Sequence, residues 1–257
     1  MKLSSPEIKP GRSMPFRLWA YLALPRPNCR GILLNDDRGI FMDYIIKILP
    51  QILQGLGITL GTFAITLVLS IPLGALISLC RVSKVKVLQW ISGFYTWILR
   101  GTPLLLQMFL IFFGLPSVGI QLFGRTRLPY VFFAFIINYA AYFAEIFRSG
   151  IQSVEKGQLE AARLLGFNSA QINLKIVMPQ VIKRTLPSIG NEIITLIKDT
   201  SLVYALGITE IFKIAKSIST RDVTLTPYIV VGVIYLVLTA VITRLLNQAE
   251  RKVYYEE

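Results

Sequence analysis

The apolar positions of this chain are gathered into long runs rather than spaced to one face of a soluble helix or strand. No charged residue occurs between Lys47 and Arg81, between Arg100 and Arg125, between Arg127 and Glu145, or between Asp222 and Arg244. A helix needs about 20 apolar residues to cross a bilayer core of about 30 Å. Hydrocarbon offers no partner to a backbone N–H or C=O, so such runs predict helices, and the lack of alternation argues against a membrane barrel. The pattern predicts spans over about 53–79, 104–115, 130–147, 186–206 and 228–246. That is an all-α integral membrane protein with five transmembrane helices.

Several spans carry marks of their own. The first has glycines at positions 55, 57, 61 and 74 beside Thr59, Thr62 and Thr66, and small residues let membrane helices approach closely. Pro72 is expected to kink that span or end its regular part. Residues 87–99 carry Trp90, Phe94, Tyr95 and Trp97, an aromatic, amphipathic stretch suited to an interface. The second span follows Arg100-Gly101-Thr102-Pro103. Gly101 and Thr102 either free backbone groups that line a cavity or simply start a helix, with Thr102 as N-cap and Pro103 at the first helical position.

The fourth span contains Glu192, Lys198 and Asp199. A charge near the bilayer centre costs at least about 2.5–3.5 kcal/mol, so such residues face a bundle interior or a water-filled path. With Asn191, Thr200 and Ser201 they form either a polar surface along a solute pathway or an internal ion pair with Glu145 or Arg148.

Composition then narrows the class. The chain of 257 residues is 54% hydrophobic and 16% charged, against about one quarter charged in a soluble domain. Its net charge of +13 could attract nucleic acid, but the basic residues flank the apolar runs, where they report topology and contact with anionic lipid. Nucleic acid is therefore not an expected partner. Cys29 and Cys80 stand alone, so neither a metal site nor a disulfide framework is expected. There is no histidine, no hydrolase triad and no phosphate-binding glycine loop, so the chain is read as a non-enzyme that does not itself hydrolyse ATP.

The basic segments near 81–86, 148–184 and 251–252 share one side if the N-terminus lies outside and the C-terminus is cytoplasmic. Arg125 and Arg127 would then be external. So would the basic, Pro-rich residues 1–41, which are expected either to be a disordered or surface-lying addition or to precede a true start at Met42. Residues 42–257 form the membrane domain, with a cytoplasmic loop over about 148–183.

That loop carries the most specific signal. It reads Gln158-Leu159-Glu160-Ala161-Ala162-Arg163-Leu164-Leu165-Gly166, then Ile176-Val177-Met178-Pro179. Local propensity gives a short helix, a glycine stop and a second helix, a shape that would also suit an amphipathic segment resting on lipid. The segment resembles the Glu-Ala-Ala loop of ABC importer permeases, with Glu160, Ala161, Ala162, Gly166, Ile176 and Pro179 at matching positions and Met178 where leucine is usual. Arg100-Gly101-Thr102-Pro103-Leu104-Leu105, Ala141-Tyr142-Phe143-Ala144-Glu145, Gly157-Gln158, Pro179-Gln180 and Lys198-Asp199-Thr200-Ser201-Leu202 extend the likeness to the polar amino acid permeases (histidine, glutamine, arginine and cystine types) over about residues 50–252.

The resemblance implies a type I ABC importer permease fold in a bacterial-type cytoplasmic membrane. It implies a permease subunit that moves a polar amino acid inward by alternating access. It further implies a second permease chain, identical or related, a cytoplasmic ATPase dimer that binds ATP and magnesium, and an extracytoplasmic solute-binding protein. No cofactor is expected in this chain. Glu160, Ala161, Ala162, Arg163, Gly166, Ile176 and Pro179 would form the coupling element that docks into the ATPase. Two small faces at Ala161 and Ala162 would seat in its groove. The rival reading is an ATP-independent transporter or channel that uses the charges of the fourth span.

Overall fold

The computed structural model describes residues 37–124 and 126–255, with side chains from Phe41 to Val253 except at position 125. The expectations about the basic tail therefore fall, up to residue 36, outside the described residues, as does Arg125. From Asp37 onward the chain is already helical. The molecule divides between Tyr44 and Ile45 into two units, and of the first only the start of a helix is described.

Every element among the described residues is helical. Helix α1 spans Asp37–Leu53, and α2 spans Leu56–Val82. Helix α3 is Lys86–Gly101, and α4 is Leu104–Ser117, with a π-turn over Leu110–Gly114. Helix α5 is Arg127–Gln152. Two short helices follow, α6 over Lys156–Leu164 and α7 over Ser169–Ile172. After a π-turn comes α8, Met178–Asp199, which runs into a 3₁₀ segment over Thr200–Leu206. Helix α9 is Ile211–Asp222 and α10 is Thr226–Tyr255.

Three helices, α2, α5 and α10, are long and apolar enough to cross a membrane, and α3 with α4 makes a fourth crossing if the bent pair is one span. The bend is 107°. Helix α2 continues through Pro72 to Val82, so that proline does not end it as the sequence allowed. Pro72 is exposed, and its missing N–H leaves a gap only on the outer side of the helix.

The small face of α2 decides how the core closes. Thr59, Thr62, Thr66, Ser70, Gly74 and Ser78 recur at helical spacing and are all buried. A Cβ on Gly74 would lie 2.7 Å from Phe143 Cβ and 3.0 Å from the Ala140 carbonyl oxygen. Gly74 thus meets the middle of α5, and Arg81 further along α2 reaches Glu145 further along α5, so the two helices run parallel. Helix α8 runs the other way. Thr185 lies against Gly150, and Asp199 against Tyr139. Phe135, Tyr139 and Phe143 on α5 pack with Leu196, Val203 and Leu206 to form the core.

Replacing Gly74 by leucine is expected to overpack this crossing and destabilise the protein by about 1–3 kcal/mol. Gly57→Ala, where a Cβ meets nothing within 4 Å, is expected to be neutral. Thermal unfolding of the detergent-purified variants measures the difference.

Two polar groups complete the end of the bundle away from Glu145. Buried Glu210 caps α9 by accepting from Phe212 N and Lys213 N, each at 2.7 Å, and Gly55 admits this cap against the start of α2. Arg127 Nη1 donates to the Leu206 carbonyl at 3.1 Å, closing the end of the 3₁₀ segment. The basic residue that offends the positive-inside pattern thus has a structural task.

Candidate functional site

Two regions gather the residues singled out by the sequence. The first is the polar segment after α5. Its leading helix, α6, ends at Leu164 and stops in a Schellman motif: Phe167 N donates to the Ala162 carbonyl at 3.1 Å and Gly166 N to the Arg163 carbonyl at 3.0 Å. Gly166 sits at φ +85°, the left-handed region that a side chain disfavours. The next helix opens with a capping box, in which Gln171 N donates to Asn168 Oδ1 and Asn168 N to Gln171 Oε1, both at 2.9 Å.

These turns fold the segment over a small core of Val154, Ala162, Ile172, Val177 and Val181, with Leu159, Phe167 and Ile176 partly buried beside it. Ala162, only 4% exposed, belongs to this core. The sequence reading gave both alanines to a partner's groove. The structure turns Ala162 inward and leaves Ala161 outward, because residues one apart on a helix point about 100° apart. Glu160, Arg163, Gly166 and Pro179 are exposed too. Beyond them stand Leu164 and Leu165, 90% and 78% exposed, which the sequence reading passed over.

Polar contacts tie the segment to α8. Gln180 Nε2 donates to Gln158 Oε1 at 2.8 Å and to the Ile176 carbonyl at 3.0 Å, and Arg184 donates to the carbonyl and hydroxyl oxygens of Ser153. These bonds link α6 and the end of α5 to the helix that carries Glu192 and Asp199.

The second region surrounds the break between α3 and α4. Thr102 is not the N-cap that a plain helix start would make it. Its hydroxyl donates backward to the Ile98 carbonyl at 2.8 Å, and Pro103, extended at φ −63° and ψ 135°, precedes α4 without a side-chain cap. The freed carbonyls are satisfied by two buried amides. Gln107 Nε2 donates to the Leu99 carbonyl at 2.8 Å and to Thr102 Oγ1 at 2.8 Å, while Asn138 Nδ2 donates to the Leu99 carbonyl at 3.0 Å and to Gln107 Oε1 at 2.9 Å. Broken backbone at membrane depth survives where protein groups re-satisfy it. A Cβ on Gly101 meets open space, so the break has an exposed edge.

Facing the break are α5 and α8. Tyr139 OH donates to Asp199 Oδ2 at 2.7 Å. The Arg100 guanidinium lies 5.4 Å from the centre of the Tyr142 ring, a cation–π contact. Tyr142 is within electrostatic range of Arg100, Glu192 and Asp199 together. Glu192 and Asp199 are half-buried, whereas Lys198 and Asn191 are exposed. Thr200 turns its hydroxyl back to the Ile197 carbonyl at 2.7 Å, and Ser201 follows it into the 3₁₀ segment.

The ion pair expected between this span and Glu145 or Arg148 is not formed. Glu145 Oε1 accepts from Arg148 Nε at 2.8 Å, and Glu145 Oε2 lies 3.6 Å from Arg81 Nη2. Arg100 lies within electrostatic range of Glu192 and Tyr142, and Lys198 within range of its neighbour Asp199. Sequence reasoning missed Arg100, Gln107, Asn138, Tyr139 and Tyr142 as site residues. Gln107 and Asn138 were findable as the side-chain amides inside otherwise apolar runs.

An apolar helical bundle with one broken span and a polar helical segment at one end fits the class of membrane transport subunits. The chain belongs to the family described as the binding-protein-dependent transport system inner membrane component, whose profile matches residues 70–255. It is 37% identical over 206 residues to the arginine transport system permease protein ArtQ of Bacillus subtilis, covering 79% of this chain and 93% of that one. It is 38% identical over 218 residues to the nopaline transport system permease protein NocM of Agrobacterium fabrum, covering 80% and 89%. A chain of a crystallised amino acid ABC transporter with histidines superposes with a TM-score of 0.75 at 34% identity, covering 81% of this chain and 97% of that one. The inward-facing MetNI methionine ABC transporter, at 19% identity and a TM-score of 0.62, shares the fold. The protein is thus an ABC permease, a multi-pass transport subunit of the bacterial inner membrane and not an enzyme.

Proposed function

We propose that this chain is the permease half of an ATP-driven importer for a polar amino acid. The observation that carries the solute class is the gathering of both signs of charge beside the helix break, with Arg100 5.4 Å from the centre of the Tyr142 ring and the Glu192 and Asp199 carboxylates within electrostatic range of that tyrosine. An amino acid presents both charges, and a site with both signs complements it. Relatives described as permeases for arginine, glutamine and nopaline support that class. Gly101, Thr102, Asn191, Lys198, Thr200 and Ser201 stand along or beside the same path.

In this reading the chain crosses the membrane five times, through α2, the α3–α4 pair, α5, α8 with its 3₁₀ extension, and α10. The N-terminus is outside and the C-terminus cytoplasmic. The parallel run of α2 and α5 with α8 against them supports this, as does the basic character of the end where Arg81, Arg148 and Arg184 gather. A second permease chain pairs with this one, and a binding protein delivers solute from outside. An ATPase dimer binds ATP and magnesium and receives Glu160, Ala161, Arg163 and Gly166, with Ile176 and Pro179 behind them and Ala162 holding α6 in place.

Reconstitution tests it. Liposomes carrying this chain, its co-purified ATPase and the binding protein are expected to take up a labelled polar amino acid only with ATP. Uptake that survives removal of the ATPase would establish the ATP-independent alternative instead.

A further inference from the structure

The end of α2 and the start of α3 border an open, basic, aromatic cavity apart from the helix break. It measures 330 Å³ and is lined by Arg81, Gln89, Trp90, Gly93, Phe94 and Trp97. We infer that this cavity binds the phosphate of an anionic phospholipid, at the same membrane face as the polar segment after α5.

Three observations point there. The first is charge. Arg81 and Arg148 share a single carboxylate, Glu145, whose Oε1 is taken up by two hydrogen bonds from Arg148. Arg81 is left with a loose approach of 3.6 Å. Its Nε is buried with no acceptor, an unusual state for a guanidinium N–H. Exposed Lys84 on the connecting turn and exposed Lys86 at the start of α3 follow it, so the corner carries a surplus of positive charge.

The second is shape. The Arg81 guanidinium reaches across to α3 beside Gly93, where a Cβ would come within 2.6 Å of Nη1. The third is depth. Arg81 is the first charge after Lys47, so it marks where the α2 span leaves the hydrocarbon. Beside it Trp90, Phe94 and Trp97 stack in series, with ring centres 5.7 and 6.0 Å apart. The two indoles are 69% and 71% exposed. Indole rings favour the headgroup level, and basic pockets between spans attract anionic headgroups. The lipid phosphate would accept from Arg81 and the two lysines while an acyl chain runs along the aromatic row.

The inference rests on the membrane placement of α2 and not on which solute is carried. Its test uses the purified permease–ATPase complex in detergent, titrated with phosphatidylglycerol, phosphatidylcholine or glycerol phosphate, with the thermal midpoint as readout. Phosphatidylglycerol is expected to raise the midpoint, and the other two are not. Each flanking charge removed is expected to weaken the apparent affinity about fivefold. Lys84→Gln/Lys86→Gln, at exposed positions, carries the test should Arg81→Gln fail to fold. Equal stabilisation by phosphatidylcholine, or an unaltered response in the double variant, overturns the inference. Equal stabilisation by glycerol phosphate overturns the lipid assignment in favour of a soluble phosphate site.

Discussion

Gly166→Val is expected to reduce ATP-driven uptake about five- to thirtyfold while the protein still reaches the membrane. The factor follows from the cost of the left-handed conformation for an L-residue, about 1–2 kcal/mol, with a β-branched side chain at the high end. Gly166 holds φ +85° and closes the Schellman motif that fixes the end of α6. Nothing lies within 4 Å of a Cβ built there, so valine would not clash with the bundle. The strain therefore falls on the orientation of α6, and the chain elsewhere keeps its packing. Two further substitutions separate surface from scaffold. Ala161→Leu enlarges an exposed position, and Ala162→Leu enlarges a buried one against Val154 and Ile172. If α6 seats in the ATPase, Ala161→Leu blocks uptake without lowering the thermal midpoint, whereas Ala162→Leu lowers both. Uptake at the parental rate in Gly166→Val and in Ala161→Leu would remove α6 from the coupling path. Membrane abundance by immunoblot and uptake in the same cells measure the two quantities.

The parts of the molecule that were legible in the sequence are those whose cause is local. The charge-free runs between Lys47 and Arg81 and between Arg127 and Glu145 became α2 and α5, because a bilayer demands uninterrupted apolar length. The turn at Gly166 and the helix before it were legible because a left-handed stop needs glycine whatever surrounds it. The stretch predicted as the fourth span folded as the end of α8 and its 3₁₀ extension, a helix not among those long and apolar enough to cross a membrane. What could not be read is what distance along the chain hides. Asn138 reaches the Leu99 carbonyl across 39 residues, and Tyr139 reaches Asp199 across 60. No local rule pairs them. Thr102 misled for a related reason. A threonine before proline has the form of an N-cap, but at this break its hydroxyl is drawn to the carbonyl of the helix it ends, and the amide of Gln107 satisfies the rest. Ala162 misled because two adjacent small residues look equivalent in sequence, while helical geometry sends one inward and one outward.

Asp199→Asn is expected to lower solute-stimulated ATP hydrolysis about tenfold or more while changing basal hydrolysis less than about twofold, since hydrogen bonds to charged groups contribute about 1.5–3 kcal/mol. Asparagine keeps the size of the side chain and can still accept from Tyr139, so packing around α5 and α8 is preserved. What it removes is the negative charge that Tyr139 orients and that lies within electrostatic range of Tyr142. Tyr139→Phe makes the complementary change: it keeps the Asp199 charge and removes only the hydroxyl that orients it at 2.7 Å. If the pair serves solute, Tyr139→Phe acts through Asp199, and the double variant loses no more stimulation than Asp199→Asn alone. If the pair serves packing, both variants lower the thermal midpoint, and basal and stimulated hydrolysis fall together. Lys198→Gln discriminates further. Lys198 is exposed while Arg100 stacks on Tyr142, so for a solute bound beside Tyr142 the loss of Lys198 leaves most of the stimulation intact, whereas Arg100→Gln abolishes it. The reverse ranking would place the solute on the opposite face of α8, since Asp199 and Lys198 project about 100° apart and one solute contacts only one of those faces.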